Sequence, residues 1–162
     1  MKDFYIGIDN GVNGGITILD KDQNIVSKHT MPVLGKSKKE YDINTIKHIL
    51  LRYSVNSFTV LEKAQPQANN GSKQAFKTGV GYGIMQALLI TLSIAHQIVA
   101  PKSWQKFVFE GLNSDDTKVA SILFCKRKWP KEDWTATERS QKCHDGMTDA
   151  ACMAYYGVRL NG

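Results

Sequence analysis

Residues 4–19 read Phe-Tyr-Ile-Gly-Ile-Asp-Asn-Gly-Val-Asn-Gly-Gly-Ile-Thr-Ile-Leu, and few folds accommodate such a run. Phe4, Ile6 and Ile8 alternate with Tyr5, Gly7 and Asp9. That is the period of a strand, with Asp9 at its C-terminal tip. Gly11, Gly14 and Gly15, interleaved with Asn10 and Asn13, tolerate positive φ and predict a tight reversal. A second apolar run to Leu19 then returns antiparallel, as in a hairpin. Asp9 therefore ends a strand beside a turn that is nearly bare of side chains. Two roles fit it: an Asx cap that accepts turn N–H groups, or a carboxylate with room beside it for a metal ion and a phosphate.

The remaining chain has to supply partners for either role. At 162 residues it fits one domain, 1–162, with a core that needs no staples. Lys plus Arg outnumber Asp plus Glu by 21 to 15, a formal charge of +6 that favours a polyanionic partner. Cys125, Cys143 and Cys152 are an odd number without CxxC spacing. They read as free thiols in a reducing compartment rather than as disulfides or a zinc site. The longest apolar run, residues 84–95, is interrupted by Gln86, Thr91 and Ser93 and is too short to span a bilayer. With no signal peptide evident, a cytoplasmic location is expected, with an organellar matrix as the alternative.

A third strand is expected over residues 25–31, followed by a lysine-bearing loop over 32–39. Asp42 is placed to cap a helix to about Tyr53 that sets Ile43, Ile46, Ile49 and Leu50 on one face. Residues 58–62 repeat the opening theme, a short apolar strand ending in a carboxylate, Glu62. The intervening helix makes a βαβ crossover, so this strand runs parallel to the first and ends on the same sheet edge. Asp9 and Glu62 then sit side by side, and two such carboxylates repel unless a cation lies between them.

A polar loop over 63–73 leads into a long helix over 74–96 that contains Gly79, Gly81 and Gly83. Each glycine costs roughly 1 kcal/mol against Ala. Close packing on the sheet or a neighbouring helix is expected to explain them, with approach to a second subunit as the alternative. Residues 97–100 form a fifth strand, and Pro101 opens a helix anchored by Trp104 and Phe107. Asp115 or Asp116 caps another helix, with Lys118 in its first turn, and the basic run 126–131 follows. That run reads as a solvated surface or as a phosphate-contacting patch. A final helix begins near His144 and stacks Asp145 and Asp149, four apart, on one face. An N-cap role accounts for Asp145, but the small apolar neighbours of Asp149 leave its charge unexplained.

Acidic oxygens at two strand ends and one helix suit Mg²⁺ or Mn²⁺ rather than zinc. Two such ions roughly 4 Å apart can drive phosphodiester hydrolysis. The order of elements, with Gly7-Ile-Asp-Asn-Gly11, Leu61-Glu62, Phe76 with Gly79-Val-Gly-Tyr-Gly83, Pro101-Lys-Ser-Trp104 and His144-Asp-Gly-Met-Thr-Asp-Ala150, resembles the RuvC-like Holliday junction resolvases. These belong to the RNase H-like superfamily, and the resemblance is closest to the phage and organellar branch. It implies an α/β fold with a five-stranded mixed sheet, strands 1–3 antiparallel and 4–5 parallel, flanked by helices. It implies Asp9, Glu62, Asp145 and Asp149 as metal ligands for Mg²⁺ or Mn²⁺, two ions per site, and Lys118 near the scissile phosphate. It further implies a homodimer that makes paired nicks in a four-way DNA junction, in recombination or repair. Phe76 is the candidate aromatic wedge, and Lys63, Lys73, Lys77, Lys102, Lys126, Arg127 and Lys128 are the candidate DNA contacts. Similar bacterial enzymes space the last two ligands three apart rather than four, which brings His144 in as an alternative ligand.

Two other functions share parts of this pattern. An actin- or sugar-kinase-like ATPase also sets an Asp before a Gly-rich hairpin, but needs two similar domains around its nucleotide. A catalytically inactive nucleic-acid-binding module of the same fold has no use for four acids facing phosphates.

Overall fold

The structure is a computed structural model and describes residues 1–65 and 71–161. Residues 66–70 of the polar loop after Glu62 lie outside the described residues. The opening hairpin forms as β1 (Phe4–Asp9) and β2 (Gly15–Asp20), in a register that sets Asp9 opposite Gly15. β3 (Ile25–Thr30) adds an antiparallel neighbour to β2. The lysine-bearing loop is not wholly irregular, since β4 (Val33–Leu34) pairs with β5 (Glu40–Tyr41). Strands of two residues are too short to display any alternation, so this ribbon leaves no mark in the hydrophobic pattern.

Helix α1 (Ile43–Arg52) starts where Asp42 accepts the Thr45 N–H at 3.1 Å. β6 (Ser57–Glu62) then pairs parallel to β1, with Ile8 beside Leu61, and β7 (Ala95–Val99) pairs parallel to β6. Between them α2 (Ser72–Thr91) is shorter than expected at its C-terminal end, and β7 begins earlier. Ser93 adopts a left-handed φ of 55° there, a conformation that cannot continue a helix. Three helices complete the chain: α3 (Pro101–Val108), α4 (Thr117–Lys128) and α5 (Asp145–Asn161). Among the described residues no helix is long and apolar enough to cross a membrane.

The five-stranded sheet has the order β3-β2-β1-β6-β7, mixed in the expected sense. Strand alternation sends Ile6, Ile8, Ile16, Ile18 and Leu61 to one face, where they pack with Ile46 and Leu50 of α1 and Met85 and Leu89 of α2. Tyr5, Leu19, Phe58 and Val60 go to the other face, with Trp104, Cys125, Met153 and Ala154. All three cysteines are free thiols.

The placement of α5 depends on glycine. A Cβ on Gly7 would lie 1.9 Å from the Ala150 carbonyl oxygen, and one on Gly146 would lie 2.4 Å from the Gly14 carbonyl carbon. The missing side chains let α5 lie directly on β1 and rest its first turn on the hairpin loop.

Candidate active site

The C-terminal edge of β1 and β6 collects acidic residues from remote parts of the chain. Ile8 pairs with Leu61, so Asp9 and Glu62 follow on adjacent strands about 4.8 Å apart. The first turn of α5 brings Asp145 and Asp149 over the same edge. Asp9, Asp145 and Asp149 line one cavity of about 380 Å³ with Lys118, Gln74 and the backbone of the Gly11–Gly14 turn. Glu62 stands behind that cavity rather than in its wall. Its Oε1 accepts the indole N–H of buried Trp104 at 2.9 Å, and its carbonyl oxygen accepts from Asn10 Nδ2 at 2.8 Å.

Charge in this edge is poorly compensated. Burial pushes the Asp9 carboxyl up to about 7, and the charges of Glu62 and Asp149 add to the shift. One Gly11 N–H at 3.2 Å opposes it, so Asp9 does accept the turn amide but remains largely unsatisfied. Burial likewise pushes Asp149 up to about 7, opposed by the Ser121 hydroxyl and reinforced by Glu62 and Asp145. Glu62 is raised by burial and partly relieved by Trp104. Asp145 goes the other way: Lys118 Nζ at 2.9 Å holds it below the usual carboxylate range. Among the described residues, Lys118 is the only cation bonded to any of the four acids.

Local structure explains why Asp145 is available for that ion pair. His144, not Asp145, caps α5, its Nδ1 accepting the Met147 N–H at 3.3 Å. Its ring is thereby engaged with the helix end. Asp116 caps α4 through the Lys118 N–H at 2.8 Å, and the exposed Lys118 side chain extends from that first turn into the cavity mouth. Two residues outside the sequence-derived candidates touch Glu62 or the turn beside Asp9. Trp104 carries a hydrogen-bond donor that its reading as an apolar anchor overlooks. Tyr41, on the unforeseen ribbon, donates to the Asn10 carbonyl at 2.8 Å, and burial and Asp9 push its hydroxyl up to about 12.

The other candidate residues divide into two groups. Lys73, Phe76 and Lys77 lie on the first turns of α2, beside Gln74, and are exposed. Lys63 directly follows β6, and Lys102 opens α3 just after β7, both exposed at the same sheet edge. Lys126, Arg127 and Lys128 are not brought there. They end α4 near the β2–β3 turn, where Lys128 Nζ donates to Gln23 Oε1 at 2.7 Å, at the end of the sheet away from Asp9. Trp129 beside them is core rather than surface, with its indole N–H on the Gln23 carbonyl.

The donor set is all carboxylate, which fits a hard divalent cation and does not fit zinc. Two half-buried acids pushed to about 7 mark a pocket whose ionised form needs outside positive charge. The side chains are not closed upon one centre, since among the described residues no three His, Cys, Asp or Glu groups stand ready to grip an ion.

This mixed sheet with helices on both faces is an RNase H-like α/β fold. Within that class the fold is RuvC-like. The chain superposes on Thermus thermophilus RuvC in complex with Holliday junction substrate with a TM-score of 0.60, at 11% identity, covering 98% of this chain and 96% of that one. A second structure of Thermus thermophilus RuvC gives a TM-score of 0.55 at 14% identity, covering 97% and 96%. No family model matches the chain, and no curated protein matches it in sequence.

Proposed function

We propose that this chain is a divalent-metal-dependent endonuclease of the phage and organellar RuvC-like branch, built as one domain, that resolves four-way DNA junctions by paired hydrolytic nicks. The observation that carries this reading is the pair Asp9 and Asp149. They come from opposite ends of the sequence, meet in one cavity, and are each pushed to about 7 without a cation of their own. The RuvC-like fold supports it, because Thermus thermophilus RuvC has been solved with a Holliday junction substrate.

Asp9, Glu62 and Asp149 would hold the ions, with Asp145 completing the set from its ion pair. Bound there, two Mg²⁺ or Mn²⁺ ions supply a water acidic enough to attack at neutral pH and offset charge on the leaving oxygen. Lys118 sits at the cavity mouth, where its ammonium meets a phosphate oxygen. Trp104 and Asn10 hold Glu62 in one orientation. Water is the nucleophile, and no covalent intermediate forms.

Paired nicks require two sites and therefore two chains. Helix α2 offers the contact. Of its three central glycines only Gly81 packs closely among the described residues, since a Cβ there would lie 2.1 Å from the Tyr41 hydroxyl. Among the described residues a Cβ on Gly79 or Gly83 would meet nothing within 4 Å, so packing against them does not account for either glycine. With exposed Ala87 and Ile90 they form a stripe suited to a second copy of α2. Gly83→Leu should leave the monomer folded and abolish the dimer. Sedimentation showing the wild type monomeric, both alone and on junction DNA, would remove paired nicking.

The direct test is a nicking assay on four-way, forked and linear duplexes with and without Mg²⁺. Metal-dependent cutting confined to branched DNA is expected. Cutting that persists in chelator, or that ignores branching, contradicts the proposal.

A further inference from the structure

A second cavity adjoins the acidic one and shares Val12 as a common wall. It measures about 380 Å³ and differs in character. Its walls are apolar or aromatic, formed by Tyr41 and Ile43 below the β4–β5 ribbon and by Val80 and Ile84 on α2. Its rim carries Lys39, Glu40 and Lys77, with exposed Phe76 beside them. The cavity is fixed in place from behind. Tyr41 is tied to the Asn10 carbonyl, Lys39 Nζ donates to Asn13 Oδ1 at 2.7 Å, and both acceptors belong to the turn that follows Asp9.

A flat apolar ligand with a phosphate attached suits this pair of cavities. We propose that the second cavity takes one unstacked nucleobase of the cut strand, adjacent to the phosphodiester held at the acidic pocket. The volume exceeds that of any base, and the apolar walls and Tyr41 ring provide a stacking surface, which is indifferent to base identity. The rim supplies what stacking lacks: the Glu40 carboxylate accepts from an exocyclic amine, and the two lysines meet flanking phosphates or carbonyl acceptors. Branched DNA lowers the cost of filling the cavity, because a nucleotide at a branch point is already partly unstacked. A free nucleotide or an apolar peptide would fit the walls alone, but only a strand fits the walls, the rim charges and the neighbouring acids together.

This inference rests on the nuclease reading, and its test separates the two. Asp9→Asn protein is titrated with four-way junctions in which each nucleotide around the mapped cut is replaced in turn by an abasic residue. One position is expected to lose about tenfold in affinity, the scale of one stacked base. Val80→Trp fills the cavity from its rim. In that background the intact and abasic junctions should bind alike. Ile43→Trp, at another exposed wall position, should do the same if the first variant folds poorly. An abasic scan that is flat at every position, or a tryptophan variant as sensitive as its parent, overturns the base pocket while junction binding stands. Failure of the parent to bind any branched DNA overturns the nuclease reading, and this inference with it.

Discussion

The two ends of the central sheet carry opposite charge and handle it in opposite ways. At the far end Lys126, Arg127 and Lys128 are solvated, with Lys128 bonded to Gln23 and lying 5.0 Å over the Tyr155 ring. They also finish α4, where cations suit the helix dipole. At the near end Asp9 and Asp149 sit beside other carboxylates with little to offset them. The densest charge in the sequence is therefore structurally comfortable, and a sparser set is under electrostatic strain. Strain of this kind points to function more sharply than charge density does.

Breaking the near end should have the largest consequence. Asp9→Asn should lower metal-dependent cutting by about three orders of magnitude or more while leaving junction affinity within a fewfold, as read in parallel nicking and gel-shift assays. Cutting at the parental rate would show that Asp9 is not part of the machinery.

Next comes the support of Glu62. Trp104→Phe keeps a packing ring and deletes the N–H, and should raise the Mn²⁺ concentration needed for half-maximal cutting by about tenfold. Excess metal should restore the rate. A lower melting temperature with an unchanged metal requirement would reduce Trp104 to a packing residue.

The strain itself should be visible without any DNA. The folded pKa values of Asp9 and Asp149 lie above the unfolded value, so the native state holds more protons between them. Stability in chelator should therefore fall as pH rises from about 4 to about 7, and divalent metal should recover it. Asp149→Asn should raise the metal-free melting temperature at pH 8 by several degrees, about 2–4 °C for each kcal/mol relieved. A variant that melts lower would contradict the assignment of strain to this pair.

The smallest effect should come from the far end. Lys126→Ala with Arg127→Ala should change junction affinity less than Lys73→Ala with Lys77→Ala does. Each phosphate contact truly lost should reduce the slope of log affinity against log salt by about 1. Equal losses from both pairs would mean that DNA wraps both ends of the sheet.

Much of the near end was legible from residues alone. The alternation up to Asp9, the glycines after it and the matching strand ending at Glu62 fix both carboxylates on one edge, because parallel neighbours in a βαβ unit must end together. The four-residue spacing of Asp145 and Asp149 fixes them on one helix face. The divergence of their acidities was not legible. It depends on Lys118 reaching Asp145 from another helix and on His144 taking the cap. Trp104 is the buried anchor expected, but its bond to Glu62 was not legible, because only tertiary placement reveals where an indole N–H points. The basic run 126–131 was legible as charge, but its location follows from the antiparallel turn of β2, which carries Gln23 to the far end. The glycines of α2 were expected to serve packing or approach to a second subunit, and among the described residues only Gly81 is closely packed.

Asp9 and Asp149 must give up protons when they take up metal. Calorimetric titration of the DNA-free protein with Mn²⁺ near pH 6.5, in buffers of different ionisation enthalpy, measures this directly. Saturable binding with net proton release, abolished in Asp9→Asn, is the predicted result. Absent binding, or binding with no proton release that Asp9→Asn leaves unchanged, would contradict it.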